Sequence, residues 1–284
     1  MAYPLTSETG NLTCGTSATD LNQLFTNALR LTTDVATINV ESNEIDVTQA
    51  TGSAINFSTM IGGLRTGTVE FAGIYPRATT PLAVSSIITY ASGYVQYINA
   101  WSIDITWPEI DITSIGAATV PTWRRWMPGG IGKWSGTYTC KADNVAPPTV
   151  PSTGAAAAAI FQFAEAGATD PQLAGDITMP RLTQRVRLGD FSELSYSFNG
   201  SGNLTQTTTA TYPGLLASAG GAITKPSWDT TGDGVPDVSC VLTVGPSRTW
   251  TFPAFWTRLN LSWKVDDVVR VTGTLRIADA ATVA

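Results

Sequence analysis

The chain has 284 residues, of which 43 % are hydrophobic and 13 % are charged, and its formal net charge is −6. This length allows one large domain or two small ones. So low a share of charge indicates either another source of solubility or a surface that partners cover. The sequence contains no histidine, which removes the commonest general base and metal ligand, and we expect no enzyme because we find no catalytic constellation. The acidic balance disfavours nucleic-acid binding.

Residues 1–28 are predicted to form an N-terminal arm and the start of a helix. Residues 1–17 are rich in Thr, Ser and Gly. Apolar residues at helical spacing follow at Leu21, Leu24, Phe25, Ala28 and Leu29. The N-terminus lacks a basic patch followed by an apolar stretch, and no apolar run approaches the roughly 20 residues of a membrane helix. We therefore expect neither a signal peptide nor a membrane span.

A second short helix is predicted at residues 155–166. The reason is the Ala-rich run that follows the Pro-rich residues 147–151. The alternative interpretation of the same run is a flexible Ala-rich linker.

Most of the remaining chain alternates between apolar and polar residues with a period of two. The apolar sets are Ile103, Ile105 and Trp107; Trp134, Tyr138 and Cys140; Leu194, Tyr196 and Phe198; Leu259, Leu261, Trp263 and Val265; and Val269, Val271, Leu275 and Ile277. Asp266 and Asp267 mark a tight turn between the last two strands. The pattern predicts a mainly β, antiparallel protein whose strands bury one face, in either a sandwich or a barrel.

Two segments of the sequence occur twice. Glu44-Ile-Asp-Val-Thr48 recurs as Glu109-Ile-Asp-Ile-Thr113, and each is followed by a Gly pair that leads into a Thr-rich strand. A hairpin with an acidic turn also occurs twice, beginning at Arg181 and at Arg258. Both copies of the first segment precede both hairpins, so we expect one copy (92–206) to be inserted within the other (29–75 with 250–280).

The repeated segments resemble the tail tube (major tail) proteins of long-tailed bacteriophages. The Glu-Ile-Asp strand, the aromatic stretch after it and the Gly-rich turn resemble the first half of that family's domain, and residues 255–277 resemble its closing hairpin. The resemblance implies a β-sandwich with a flanking helix, in subunits that form stacked six-fold rings around a continuous inner β-barrel. Three duplicated chains would supply the six domains of one ring.

On that resemblance the chain divides into five parts. They are the arm and helix start (1–28), the first tube-domain unit (29–91), the second tube-domain copy (92–206), a loop insertion (207–249) and the closing hairpin of the first copy (250–284). The implied partners are further copies of the chain, tape-measure and tail-tip or terminator proteins, and double-stranded DNA that passes through unbound. The implied location is the virion tail, assembled in the host cytoplasm, with no membrane partner.

Four carboxylates are candidates for the lining of the bore. Lys and Arg in a bore would hold DNA phosphates, whereas carboxylates repel them. Glu44 and Asp46 share one face of a strand, and Glu109 and Asp111 repeat the arrangement. An ordinary solvated strand face explains the same residues.

A calcium site is a further candidate, because residues 229–237 resemble an Asp-x-Asp-x-Asp-Gly loop. Asp229, Asp233 and Asp237 could bind the cation, although Thr231 replaces the middle carboxylate. A simple Gly/Pro/Asp turn is the alternative, and we otherwise expect no cofactor.

The three cysteines, Cys14, Cys140 and Cys240, are far apart and odd in number. We interpret them as buried small apolar residues and not as a disulfide framework or a zinc site.

Two other functions stay open. The runner-up is a secreted or surface β-sandwich that binds carbohydrate, which the Thr, Gly and Trp content would suit. A needle or secretion-system tube shares the physics of ring assembly.

Overall fold

The computed structural model describes residues 11–14, 36–46, 60–74, 87–91, 93–95, 97–114, 122–142, 155–162, 172–186, 191–207, 221–223, 225–226, 228–229, 231–236, 238–244, 248–265, 267 and 269–284. Across these residues the chain is mainly β and antiparallel, as the sequence predicts. The strands are β1 (Asn11–Cys14), β2 (Ala36–Asp46), β3 (Met60–Ile74), β4 (Ile87–Tyr90), β5 (Gly93–Tyr94), β6 (Ile98–Thr106), β7 (Glu109–Asp111), β8 (Trp126–Pro128), β9 (Lys133–Lys141), β10 (Ala157–Gln162), β11 (Gln172–Arg185), β12 (Glu193–Thr207), β13 (Gly221–Ala222), β14 (Ser239–Thr243), β15 (Thr249–Lys264), β16 (Arg270–Ile277) and β17 (Thr282–Val283).

Alternation along the strands places one set of side chains in a shared core. The apolar sets that the sequence singles out are buried, with two exceptions: Trp107 is half-buried, and Val265 at the β15–β16 turn is 39 % exposed. The amide of Asp267 donates to the carbonyl of Lys264, which closes the predicted turn. Aromatic rings fill the part of the core under β9 and β12, where Tyr138 stacks on Tyr196 at a centroid distance of 4.7 Å.

Eight consecutive strands of the large sheet, from β2 at its end to β11, fall into two four-stranded units. The split unit consists of β2, β3, β16 and β15 in spatial order, and its two halves are far apart in the chain. The inserted unit consists of β6, β9, β12 and β11, and it lies between β3 and β15 in the chain. In both units the spatial order is first, second, fourth and third strand, and β15 joins the units by pairing with β6.

The two units also share their strand register. One row of cross-strand partners in the split unit is Thr37, Glu70, Thr274 and Arg258. The same row in the inserted unit is Ser102, Thr137, Ser197 and Arg181. In both closing hairpins, β15–β16 and β11–β12, the register shifts directly before the arginine. Positions along the regularly paired rows of one unit therefore have defined counterparts in the other.

The Glu-Ile-Asp segments differ in how they continue the units. Glu44 lies opposite Gly62 in the β2–β3 ladder, directly after a register shift between Ser42 and Glu44. Glu109 belongs to β7, which pairs with β8 in a separate two-stranded sheet. Backbone hydrogen bonds attach the β7–β8 region to the split unit, because the amide of Trp126 donates to Ala278 and that of Arg124 donates to Arg65.

The helix predicted at residues 155–166 is wrong where the structure describes it. Ala157–Gln162 forms β10, which pairs with β11 on one side and β4 on the other. Ala159 and Phe161 are buried with a period of two, so sheet pairing and core packing override the helix propensity of the Ala run. The other predicted helix, at residues 21–29, lies outside the described residues. Among the described residues no helix is long and apolar enough to cross a membrane.

The expectation of three unpaired cysteines is wrong at Cys240, which is disulfide-bonded. Strand β1 pairs with β14, and its backbone places Cys14 directly opposite Cys240. Cys140 is a free thiol in the core. The long sequence separation concealed this pairing, because nothing in the local spacing shows that β1 returns to β14.

Candidate functional site: an uncovered polar face and two open edges

The face of the sheet opposite the core is rich in hydroxyl groups. Its side chains alternate with the core residues, and cross-strand pairing brings them into continuous rows. We call it the polar face; its Thr, Ser and Asn residues include Thr37, Asn39, Thr66, Thr68, Ser102, Thr106, Ser135, Thr137, Thr139, Thr178, Thr183, Ser195, Ser197, Asn199, Asn260, Ser262, Thr272 and Thr274. All of them are half-buried or exposed, so most of this face is open to solvent or to a partner.

Charges of both signs are scattered over the polar face. Its described cations are Lys133, Lys141, Arg181, Arg185, Arg258, Lys264, Arg270 and Arg276, and its described carboxylates are Glu41, Glu70, Asp104, Asp176 and Glu193. Three of the arginines are in ion pairs: Arg258 with Asp104, Arg270 with Asp267 and Arg276 with Glu109. The hydrogen bond and charge of Asp104 raise the pKa of Arg258 above its ordinary value. With these cations compensated, the polar face is close to neutral.

The run of eight strands has an open edge at each end. Strand β2 pairs only with β3 among the described residues, and its residues from Asn39 to Glu44 are exposed. At the other end β10 pairs with β11 only along Gln172–Ile177. Arg181–Arg185 therefore pairs with β12 on one side and with no described strand on the other. Unpaired backbone groups at such an edge are a template for another strand.

The four predicted lining carboxylates have different surroundings. Glu44 is exposed at the far end of β2, whereas the side chain of Asp46 lies outside the described residues. Glu109 is half-buried and accepts hydrogen bonds from the guanidinium of Arg276, which also lies 4.7 Å from the ring centroid of Trp126. The structure thus brings Glu109 onto β16 of the split unit and leaves Glu44 free in solvent.

Asp111 ties together its own hairpin. Its carboxylate accepts hydrogen bonds from the amide and hydroxyl of Thr113, at 2.9 and 2.5 Å, and lies 3.6 Å from Arg124. Desolvation alone would raise the pKa of Asp111, but the Thr113 hydrogen bonds and the charge of Arg124 together hold it below the ordinary value. Glu109 and Asp111 are thus both held by contacts with arginines of the described chain.

The candidate calcium loop is folded around one of its own carboxylates. Asp229 accepts hydrogen bonds from the amides of Thr231, Gly232 and Gly234, and φ values of 75° and 77° at the two glycines permit this tight path. Desolvation alone would raise the pKa of Asp229, but these bonds lower it. Asp233 accepts from the amide of Val235, and Asp237 lies outside the described residues. No group of three potential ligands occurs among the described residues.

A cleft of about 680 Å³ lies between the end of β6, the start of β9, the middle of β12 and the loop at residues 130–132. Its lining includes Trp107, Lys133, Trp134, Asn199 and Asn203. The indole N–H of Trp134 donates to the carbonyl of Gly202 at 3.2 Å, which fixes that ring as a wall of the cleft. An aromatic wall beside amide side chains is an arrangement that can bind a polar ligand with apolar faces.

Sequence reasoning missed the polar face and the open edges. The alternate Thr and Ser residues of β9, β12 and β16 indicate this face in the sequence. The apolar residues between them predict only the buried face. The edges depend on which strands become neighbours across more than 100 residues, and the local pattern does not specify this.

Comparison with protein-family models gives no match, and comparison with curated proteins finds no similar sequence.

Proposed function

We propose that this chain is a structural subunit of a bacteriophage tail tube and assembles into stacked rings that form a DNA-conducting channel. Its partners are then further copies of itself, the tape-measure and tail-tip or terminator proteins, and DNA that slides through without sequence-specific binding. In this proposal the protein acts in the virion tail and performs no catalysis.

The observation that carries the proposal is the repeated strand order. The split and inserted units have the same order and register and already lie edge to edge in one sheet. This supports an internal duplication in which the second tube-domain copy is inserted within the first. Continuing the same edge-to-edge addition with further chains would extend the sheet, and three chains would supply six units to one ring.

The polar face supports a channel that does not grip DNA. In this proposal it lines the bore, because the opposite face is buried in the core. Three of the eight described cations of this face are held in ion pairs, and the other carboxylates of the face offset most of the charge of the remaining five, so DNA binding is weak even without an acidic lining. Of the four carboxylates, Glu44 stays the best candidate for added repulsion, since Glu109 is occupied by Arg276.

Electron microscopy of the purified protein tests assembly. Hollow tubes built from stacked rings, with three chains in each ring, are the expected result. Six chains in each ring would overturn the trimer and leave the tube. A dispersed monomer at high protein concentration, with β2 and β11 covered, would overturn both.

DNA retention tests the role of the bore. Glu44, Asp46, Glu109 and Asp111 replaced together by Lys should leave tubes that hold DNA, with retention falling as salt rises. Glu44→Lys alone is the matched variant that spares the Glu109–Arg276 ion pair. If tubes of Glu44→Lys pass DNA as freely as tubes of the original chain, Glu44 does not face the bore, whatever the fourfold variant does.

A carbohydrate-binding module of a secreted or surface protein is the second candidate. Two observations favour it: the disulfide at Cys240, a bond typical of oxidising compartments, and the cleft beside Trp107 and Trp134. A glycan-binding screen with Trp107→Ala as the control tests it. Saturable binding that the substitution removes, by a protein that stays monomeric, would favour this function over the tube.

A further inference from the structure

Strands β15 and β11 of the two closing hairpins have neighbours at matching positions, except along one stretch of β11. On β15 of the split unit, β14 pairs with Thr249–Pro253 and β6 pairs with the following stretch, Arg258–Lys264. Strand β16 occupies the opposite edge of β15, as β12 does on β11. On β11 of the inserted unit, β10 pairs with Gln172–Ile177, the counterpart of the β14 segment. The following stretch of β11 has no described neighbour where β15 has β6.

The strand that would pair with this stretch of β11 can be identified from the position of β6 in its own unit. Strand β6 is the first strand of the inserted unit, and the first strand of the split unit is β2, whose outer edge is open. We infer that β2 of one chain pairs antiparallel with Arg181–Arg185 of β11 in a second copy of this chain. This inference rests on the proposed ring for the identity of the partner and adds the junction and its register.

The internal β15–β6 junction specifies that register. Arg258 lies opposite Thr106, and Asn260 lies opposite Asp104. The counterparts of these pairs are Arg181 opposite Glu41 and Thr183 opposite Asn39. The amide of Trp107 donates to the carbonyl of Thr257, one residue beyond the first pair on each strand. Both pairs are therefore of the non-hydrogen-bonded kind, in which side chains approach most closely.

The side chains at the two open edges complement one another in this register. Arg181 and Glu41 are both exposed, carry opposite charges and would meet on the polar face. Leu182 would lie opposite Val40, the counterparts of the buried pair Leu259 and Ile105. Val40 is 38 % exposed in the single chain, so the junction would cover an apolar side chain that is otherwise open to solvent.

Because the two edges are different surfaces of one chain, the contact is head-to-tail. Each added copy leaves one new β2 edge and one new β11 edge. Such a contact closes into a ring or continues as a filament. The junction therefore accounts for how chains join within one ring or filament.

Disulfide trapping in the full chain tests the register. In a Cys140→Ser background, Asn39→Cys with Thr183→Cys should form inter-chain disulfides on mild oxidation, giving a ladder of covalent multimers on a non-reducing gel. Asn39→Cys with Gln184→Cys is the matched control, because these two residues would point to opposite faces and should stay monomeric on the gel.

The outcomes separate the junction from the tube. Tubes by electron microscopy without the ladder, or with a ladder only in the control, would overturn the junction and leave the proposed function. A ladder without tubes would support the junction and count against the tube. A folded protein that gives neither ladder nor tubes would overturn both.

Charge exchange provides an independent measurement. Glu41→Arg or Arg181→Glu alone should weaken association of the chains about tenfold, because like charges would then face each other. The double variant restores opposite charges and should recover most of the affinity. Association that is equal in all three variants, measured by analytical ultracentrifugation, would place Glu41 and Arg181 apart and overturn the register.

Discussion

The split and inserted units use one backbone arrangement but fill their cores differently. In the split unit Phe71 of β3 lies opposite Gly273 of β16, and Val69 lies opposite Leu275 in the row beside it. The inserted unit has Tyr138 opposite Tyr196 and Gly136 opposite Phe198 at the corresponding positions. A glycine faces a phenylalanine in each unit, but in a different row and with the ring on the other strand. Strand order and register thus persist while core volume is redistributed between neighbouring rows.

The largest effect is expected from exchanging a core pair between the units. A side chain at Gly136 would place its Cβ 2.1 Å from the carbonyl oxygen of Ser102 and 2.4 Å from the ring of Phe198. Gly136→Val should therefore lower the free energy of unfolding by about 3 kcal/mol or more. Adding Phe198→Leu recreates the Val69–Leu275 pair of the split unit and should recover part of the loss.

Denaturant unfolding of the single and double variants measures this coupling. Gly130→Val is the control, because nothing lies within 4 Å of a Cβ at Gly130. If the losses in unfolding free energy of Gly136→Val and Phe198→Leu simply add in the double variant, the row of Gly136 and Phe198 is not equivalent to the row of Val69 and Leu275.

The next effect concerns the strands that flank the units. Strand β14 beside the split unit carries the disulfide-bonded Cys240, whereas its counterpart β10 has no cysteine. Reduction should therefore lower the free energy of unfolding by about 2–3 kcal/mol, and Cys240→Ser should do the same without reductant. Thermal unfolding with and without reductant checks this, with Cys140→Ser as a variant that should keep its sensitivity to reductant. Insensitivity of the original chain would show that the bond does not form in the protein tested.

A smaller effect is expected from the ion pair that fastens β7 to the split unit. Arg276 has Asn199 as its counterpart in the inserted unit, so only the split unit binds Glu109 in this way. Glu109→Gln should cost about 1–2 kcal/mol, because the guanidinium then loses a charged acceptor in a half-buried site.

A double-mutant cycle with Arg276→Met, read by chemical denaturation, checks the pair. We expect the double variant to lose less than the sum of the single variants. Strict additivity would mean that Glu109 and Arg276 contribute independently, and β7 would then be attached by its backbone bonds alone.

The differences between the two units also determine how much of the fold can be predicted from the sequence. Alternation along β12, β15 and β16 predicted the buried residues, since a period of two assigns each side chain to a face. The repeat was visible only at the Glu-Ile-Asp segments and at Arg181 and Arg258, because redistribution of core volume leaves few identical residues elsewhere. The strand at Ala157–Gln162 and the bond at Cys240 depend on neighbours that are distant in sequence, and no local pattern specifies them.

The smallest expected effect concerns Cys140, whose counterpart in the split unit is Gly73. Burial raises the pKa of the Cys140 thiol to about 11, so the folded state favours the neutral thiol. Because the thiolate is the reactive species, a thiol reagent at about pH 8 should modify the folded chain far more slowly than the unfolded chain.

The stabilising contribution of the neutral Cys140 thiol is fully present below the ordinary thiol pKa of 9.0 and is lost as pH rises towards about 11, where the folded thiol also ionises. Cys140→Ala removes this titration, and the disulfide-bonded Cys240 does not titrate. The difference in unfolding midpoint between the original chain and Cys140→Ala should therefore change across that pH interval and be constant below it. A difference that is the same at all pH values, or rapid modification of the folded chain, would mean that Cys140 is accessible to water and that the inserted unit is packed less tightly than its aromatic core suggests.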